Sequence, residues 1–206
     1  MHEQYQKELA VCGLEAVTAL SIEHPEKIYR LFFTGNRAKR FGTLCKYLAQ
    51  KKRLYRLVGS DSELEKLCSS VHHQGVVAMI AFPVIPAVTA ADIRRWAQQH
   101  EAVLMLDRIG NANNFGAIIR SAAFFGITEI IISGEEAQAY ITTSAYRIAQ
   151  GGMEFVNLFK VSSTAWFLRH CRGKITCVGT DVCAHHTINS LQRLLNKNEA
   201  CAIVLG

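Results

Sequence analysis

A chain of 206 residues, 50% hydrophobic and 19% charged, is long enough for two small domains, each with its own core. Apolar residues are spread evenly and no long run of one charge sign occurs, which excludes a disordered chain. No apolar stretch approaches the roughly 20 residues that span a bilayer. The formal charge of +6 and pI of about 9.0 favour a polyanionic partner such as nucleic acid without establishing one. The leading Met-His-Glu-Gln-Tyr-Gln-Lys-Glu lacks the basic-then-apolar order of a secretory signal, so a soluble, cytoplasmic protein is expected.

In chain order, Glu8 to Leu20 carries apolar residues at helical spacing, and Ile28 to Gly35 (IYRLFFTG) reads as a strand. FGTLCKYLAQKK is an amphipathic helix, LYRLVG a second strand, and DSELEKLCSS a short helix with an acidic first turn. GVVAMIAF is a third, apolar strand that closes an α/β domain near Phe82. The linker PVIPAVTA follows, and Thr89 with Asp92 forms a plausible capping pair for a helix to His100. AVLMLD then reads as a strand, Ala117 to Phe125 as a helix stopped by Gly126, and ITEIIIS as another strand. This βαβ unit implies parallel strands and a right-handed crossover. ITCVGTD and EACAIVLG add two more apolar strands to a parallel-type sheet.

Seven cysteines without a Cys-x-x-Cys pair read as reduced thiols. Cys171, Cys177 and Cys183, near His170, His185 and His186, invite a zinc reading. Their even spacing matches no common ligand pattern, so no metal is expected. His72 and His73, before an apolar strand, are expected to be turn residues.

The helix after AVLMLD poses the main question. Only Arg120 and Ser121 are polar between Ala117 and Phe125, and on a wheel of about 100° per residue Arg120 falls between Ala123 and Phe124. A helix apolar nearly all round is expected to be buried nearly all round, against its sheet and a second subunit. A guanidinium stays charged and is costly to bury unpaired, so Arg120 requires an anion, either a carboxylate or a ligand. Asn111, Asn113 and Asn114 lie where a strand ends and a helix begins, the place where α/β sheets bind ligands. One asparagine is expected to cap the helix, and Gly116 permits close backbone approach. Equally, the asparagines can serve only to cap and turn while Arg120 pairs with a structural acid. No Gly-x-Gly-x-x-Gly follows the strand and no P-loop occurs.

The segment LDRIGNANNFGAIIRSAAFFGITEIIIS resembles the first motif of the SpoU (TrmH-like) branch of the SPOUT RNA methyltransferases. Asn114, Gly116, Ala117 and Arg120 match its Asn-x-Gly-Ala-x-x-Arg core. HQGVVAMI resembles the close of that family's N-terminal substrate-binding domain, of the ribosomal-protein L30e-like kind, and AIVLG the opening of its second motif. The resemblance implies an α/β fold in three parts. Residues 1–83 form an L30e-like RNA substrate-binding domain, residues 84–100 a linker and helix, and residues 101–206 a SPOUT methyltransferase domain with a parallel sheet. Two departures stand out: Asn111-Ala112 replaces the common Asp-Pro, and the sequence stops at Gly206. The family continues there into Asn-Glu-Gly and a third motif with a Ser-Leu-Asn core, which thread a knot. The 206-residue form is therefore expected to be incomplete, binding S-adenosylmethionine weakly and lacking activity.

The implied activity is methyl transfer from S-adenosylmethionine to a ribose 2′-hydroxyl of tRNA or rRNA, by a homodimer. Arg120 is the implied catalytic residue, a charged positioning group, with Asn114 keeping it in register. Gly179, Thr180, Leu205 and Gly206 are the implied cofactor-contacting residues. Arg37, Lys39 and Arg40, in the glycine-bounded loop GNRAKRFG after a strand, suit phosphate contacts of an RNA-binding domain, although a solvated basic loop reads the same way. Two other functions fit the pattern. One is a non-catalytic RNA-binding protein with a degenerate SPOUT dimerisation module. The other is a small-molecule α/β enzyme whose Arg120 binds a substrate carboxylate.

Overall fold

The structure, a computed structural model, describes residues 7–134, 138–187 and 199–206. Its contacts divide the chain into two compact units. The first comprises Met1–Val84 with Gly116–Ser121 and Ile141–Phe155; the second comprises Ile85–Phe115, Ala122–Tyr140 and Val156–Gly206.

In the first unit, Glu8–Cys12 forms strand β1 and Leu14–Glu23 helix α1, so the single helix expected from Glu8 to Leu20 is corrected to a strand and a helix. Gly13 makes the break, with φ at 97°, in the region that disfavours a side chain. An almost continuous apolar run fits either period, and here strand pairing decides. Ile28–Phe33 forms β2, Gly42–Gln50 α2, Leu54–Leu57 β3, Asp61–Cys68 α3 and Val76–Ala81 β4. The sheet order is β1-β4-β2-β3, with β4 antiparallel to both neighbours and β2 parallel to β3. Leu64 and Cys68 of α3 pack with Ala10, Phe32, Val77 and Met79 on one face of the sheet. Thr143–Ala149 forms α6, which the sequence reading did not identify.

The second unit opens with α4, Ala90–Gln99. Its capping box is as expected: Asp92 N donates to Thr89 Oγ1 at 3.2 Å and Thr89 N to Asp92 Oδ2 at 2.8 Å. Ala102–Leu106 forms β5, Glu129–Ser133 β6, Asn157–Val161 β7, Thr164–Cys171 α7, Thr176–Gly179 β8 and Cys201–Leu205 β9. All pairings are parallel, in the order β7-β6-β5-β9-β8. Trp96 of α4 and Phe167 of α7 are fully buried with Val103, Met105 and Ile131. Glu129, buried at the start of β6, accepts from Trp96 Nε1 at 2.7 Å, Asn157 Nδ2 at 2.8 Å and Arg95 at 3.1 Å. Those three donors compensate a carboxylate that would otherwise be costly to bury.

Helix α5, Ala112–Phe124, carries the motif and contributes residues to both units. It starts earlier than expected, because Asn111 caps it: Asn111 Oδ1 accepts from Asn113 N at 2.8 Å and Asn114 N at 3.2 Å. Gly126, at φ 74°, ends it, and its N–H donates to Ala123 O.

Candidate active site

Within this one chain α5 is buried along a single stripe, and the remaining apolar surface, expected to lie against a second subunit, is exposed. Phe115, Ile119 and Ala122 form a buried stripe at helical spacing, but Phe124 and Phe125 are 82% and 76% exposed, and Arg120 is exposed as well. Counting apolar residues on a wheel cannot tell which of them one chain covers by itself. The carboxylate partner allowed for Arg120 is also absent, since its guanidinium has no hydrogen bond or ion pair among the described residues.

Gly116 does permit close approach, and the approaching backbone belongs to α6. A Cβ on Gly116 would stand 2.6 Å from Ala145 O and 2.9 Å from Ile148 Cβ. Arg120, one turn further along α5, lies on the same face as Gly116. It lines a cleft of the first unit together with Arg147 and Ile148 of α6, and with Gln74 and His72 from the turn before β4. His73 occupies that turn as expected: it is buried, and its Nδ1 accepts from Gly75 N at 3.1 Å. The carboxamide of Asn114 is exposed and has no hydrogen-bond partner among the described residues.

The second unit gathers the other expected residues at the carboxyl edge of its sheet, around the point where strand order reverses between β5 and β9. Crevices of this kind are where open α/β sheets take ligands. Gly179 ends β8, Thr180 follows it, Leu205 ends β9 and Gly206 follows that. Thr180 N and Oγ1 both donate to Val204 O, at 3.0 and 3.3 Å, and Leu205 O accepts from Asp107 N at 2.7 Å. A Cβ on Gly206 would come within 3.1 Å of Asp107 O, whereas one on Gly179 would meet nothing within 4 Å. Asp107, after β5, accepts from Thr164 Oγ1 at 2.8 Å. Sequence reasoning missed this aspartate, because its place beside β9 follows from strand order and no local motif records it.

The three basic loop residues behave differently from one another. Arg37 is half-buried and its Nε donates to Gln74 O at 3.0 Å; Arg40 donates to Thr18 Oγ1 at 3.0 Å and pairs with Glu15 at 3.5 Å. Lys39 is exposed and without a partner among the described residues. Among those residues no group of three or more His, Cys, Asp or Glu could hold a metal ion. Cys171 is buried in the core of the second unit, and His170 stacks on Trp166 at 3.9 Å. No helix among the described residues is long and apolar enough to cross a membrane.

Comparison with known proteins agrees with this arrangement. The sequence model of the SpoU rRNA Methylase family matches residues 101–206, and that of the RNA 2'-O ribose methyltransferase substrate-binding domain matches residues 10–84. An uncharacterized tRNA/rRNA methyltransferase of Haemophilus influenzae is 29% identical over 154 residues, covering 75% of this chain and 42% of the relative. The 23S rRNA (guanosine-2'-O-)-methyltransferase RlmB of Acinetobacter baylyi is 30% identical over 172 residues, covering 82% of this chain and 68% of the relative. This chain thus spans less than half the length of the first relative and about two thirds of the second. An rRNA methyltransferase from Sinorhizobium meliloti superimposes with a TM-score of 0.73 at 19% identity, covering 98% of this chain and 71% of that one. The SpoU methyltransferase AviRb from Streptomyces viridochromogenes, in complex with AdoMet, gives 0.63 at 20% identity over 96% of this chain and 72% of that one. The fold is that of these methyltransferases, and the chain belongs to the SpoU rRNA methylase family.

Proposed function

We propose that this protein acts in methyl transfer from S-adenosylmethionine to a ribose 2′-hydroxyl of tRNA or rRNA, with Arg120 as the catalytic residue. The observation that carries this reading is an exposed arginine without a partner among the described residues, one turn beyond Gly116 on the motif helix. The named relatives act on tRNA or rRNA, and the Acinetobacter relative on a guanosine 2′-oxygen of 23S rRNA.

The carboxyl edge of the parallel sheet fits a cofactor in part. Gly179 leaves open space at its backbone, and Leu205–Gly206 end the neighbouring strand. Gly179, Thr180, Leu205 and Gly206 would form one wall of an S-adenosylmethionine pocket. When bound, that cofactor supplies an electrophilic methyl group on sulfur. Thr180 spends its donors on Val204, so it offers a ligand the acceptor side of its hydroxyl.

In the reaction the 2′-oxygen would gain the methyl carbon as the carbon–sulfur bond breaks, its electron pair staying on sulfur as a neutral thioether, and the 2′-hydroxyl would lose its proton to solvent. Arg120 holds an RNA phosphate and stabilises the negative charge that develops on the 2′-oxygen, which a fixed guanidinium does without needing to lose its own proton. Asn114, exposed near the start of the same helix, is the second residue assigned to the site; Asn111 holds the loop, and the carboxamide of Asn114, without a partner among the described residues, is left to meet the substrate. Lys39, with Arg37 and Arg40 beside it, contributes phosphate contacts from the first unit. A homodimer covering Phe124 and Phe125, whose rings meet edge to face at 5.1 Å, accounts for apolar surface that a monomer leaves in water.

The test is incubation of the full-length protein with tritiated S-adenosylmethionine and bacterial rRNA or tRNA, followed by nucleoside analysis. A 2′-O-methylated nucleoside that requires Arg120 supports the reading. RNA binding without any methylation favours a non-catalytic RNA-binding protein.

A further inference from the structure

Nothing among the described residues compensates the charge of Arg147. This residue lies on α6, half-buried, and no hydrogen bond or ion pair from the described residues reaches its guanidinium. Its stem packs on bare backbone: Arg147 Cγ is 3.5 Å from where a Cβ on Gly13 would stand, and Gly13 itself has φ at 97°. A partly desolvated cation without an acceptor is unfavourable, and it persists where an anion completes it.

The cleft around it, of about 380 Å³, has Arg120 on the facing helix α5. Among the described residues Glu15 is the one acidic residue lining it, and Glu15 pairs with Arg40 at 3.5 Å. Gln74 and Gln150 supply neutral polar groups, although Gln74 Oε1 is occupied by Leu14 N at 2.7 Å. Among the described residues, two guanidinium groups without a partner therefore line one cleft whose one carboxylate pairs with Arg40. The absent side chain of Gly116 lets α5 and α6 approach closely enough for this.

We propose that Arg147 is a second phosphate-holding residue of the active-site cleft, which binds the RNA backbone together with Arg120 and fixes the substrate strand for reaction. A planar fork of donors suits a phosphodiester, and RNA is the phosphodiester polymer that the proposed function already requires. The inference rests on that function for the identity of the ligand. Its test reads binding, so the two can fail separately.

The experiment measures binding of a short fluorescein-labelled single-stranded RNA of mixed sequence, by anisotropy across a salt series. The proteins are the full-length wild type, Arg147→Gln, Arg147→Lys and Arg94→Gln, the last an exposed arginine on α4. Loss of one phosphate contact should lower the salt slope by about 0.7, and loss of the charged hydrogen bonds should weaken binding about tenfold. Arg147→Gln should show both changes and melt no lower than wild type, because it removes an unpaired charge. Arg94→Gln should show neither. Arg147→Lys should keep the slope and lose affinity several-fold, which provides the reading if the glutamine variant fails to fold. A wild-type slope in Arg147→Gln, an equal effect of Arg94→Gln, or wild-type affinity in Arg147→Lys overturns the proposal. If the slope changes as expected but no methyl transfer is found, the anion site stands and the methyltransferase reading falls.

Discussion

Gly116 and Ala145 meet where two helices would otherwise be held apart: a single methyl group on Gly116 would stand 2.6 Å from the Ala145 carbonyl oxygen. Backbone cannot yield as a flexible side chain does, so Gly116→Ala should force α5 away from α6. The expected cost is about 1–3 kcal/mol in urea denaturation, the range for overpacked sites. RNA binding should weaken in parallel, because Arg120 and Arg147 line the cleft these helices form. Unchanged stability would mean that the close approach has little importance.

The Thr89–Asp92 capping box holds the start of α4. Burial would raise the Asp92 carboxyl, but hydrogen bonds from Thr89 and the nearby Arg95 charge hold it below the ordinary aspartate range. A depressed pKa contributes stability above the unfolded value, and that contribution is lost as pH falls through the folded one. Thr89→Ala should therefore cost about 1 kcal/mol near neutral pH, and the deficit should shrink on acidification. Thermal melts from neutral to acid pH check this, and a deficit constant with pH would contradict it.

Glu154 shows the opposite sign. Burial raises its carboxyl, while Lys27, at 3.4 Å, and His24 oppose the rise. One of its oxygens, Oε1, is buried without a hydrogen-bond partner among the described residues. A raised folded pKa gives stability that is complete below the ordinary glutamate range and lost as pH climbs through the raised value. Glu154→Gln should therefore gain stability relative to wild type as pH rises, since Lys27 is half-exposed and tolerates losing its partner. Melting temperatures of both proteins against pH decide the matter; a variant less stable than wild type at neutral pH would show that the ion pair dominates.

Much of this was legible in the sequence. An asparagine cap on α5, the Thr89 box, the Gly126 stop and the β5–α5–β6 crossover all follow from local chemistry that neighbouring residues share; that Asn111 is the capping asparagine comes from the structure. Strand β1 was misread because ELAVCGLEAVTAL is apolar at every spacing, and only its pairing with β4 distinguishes strand from helix. Helix α6 and strand β7 went unnoticed, and with them the partner of Gly116. The sequence reading rightly gave that glycine to close approach, but what approaches it lies about thirty residues downstream. The exposure of Phe124 and Phe125 was hidden for a related reason, since apolar character does not say whether a residue's cover comes from its own chain.

The central claim is that Arg120 acts as a fixed positive charge in 2′-O-methyl transfer, and single-turnover rates for wild type and Arg120→Lys in the full-length protein test it most directly. Rates would be measured between mildly acid and mildly alkaline pH with saturating RNA and tritiated S-adenosylmethionine. Lysine keeps the charge and loses the planar fork, so the variant should stay about 100-fold below wild type at every pH while RNA affinity falls only several-fold. If the neutral side chain were instead the base, lysine, which loses its proton about two or more pH units sooner, would be the better catalyst. The variant would then match or overtake wild type as pH rises. That crossing would contradict the account, as would a wild-type protein that transfers no methyl group to RNA.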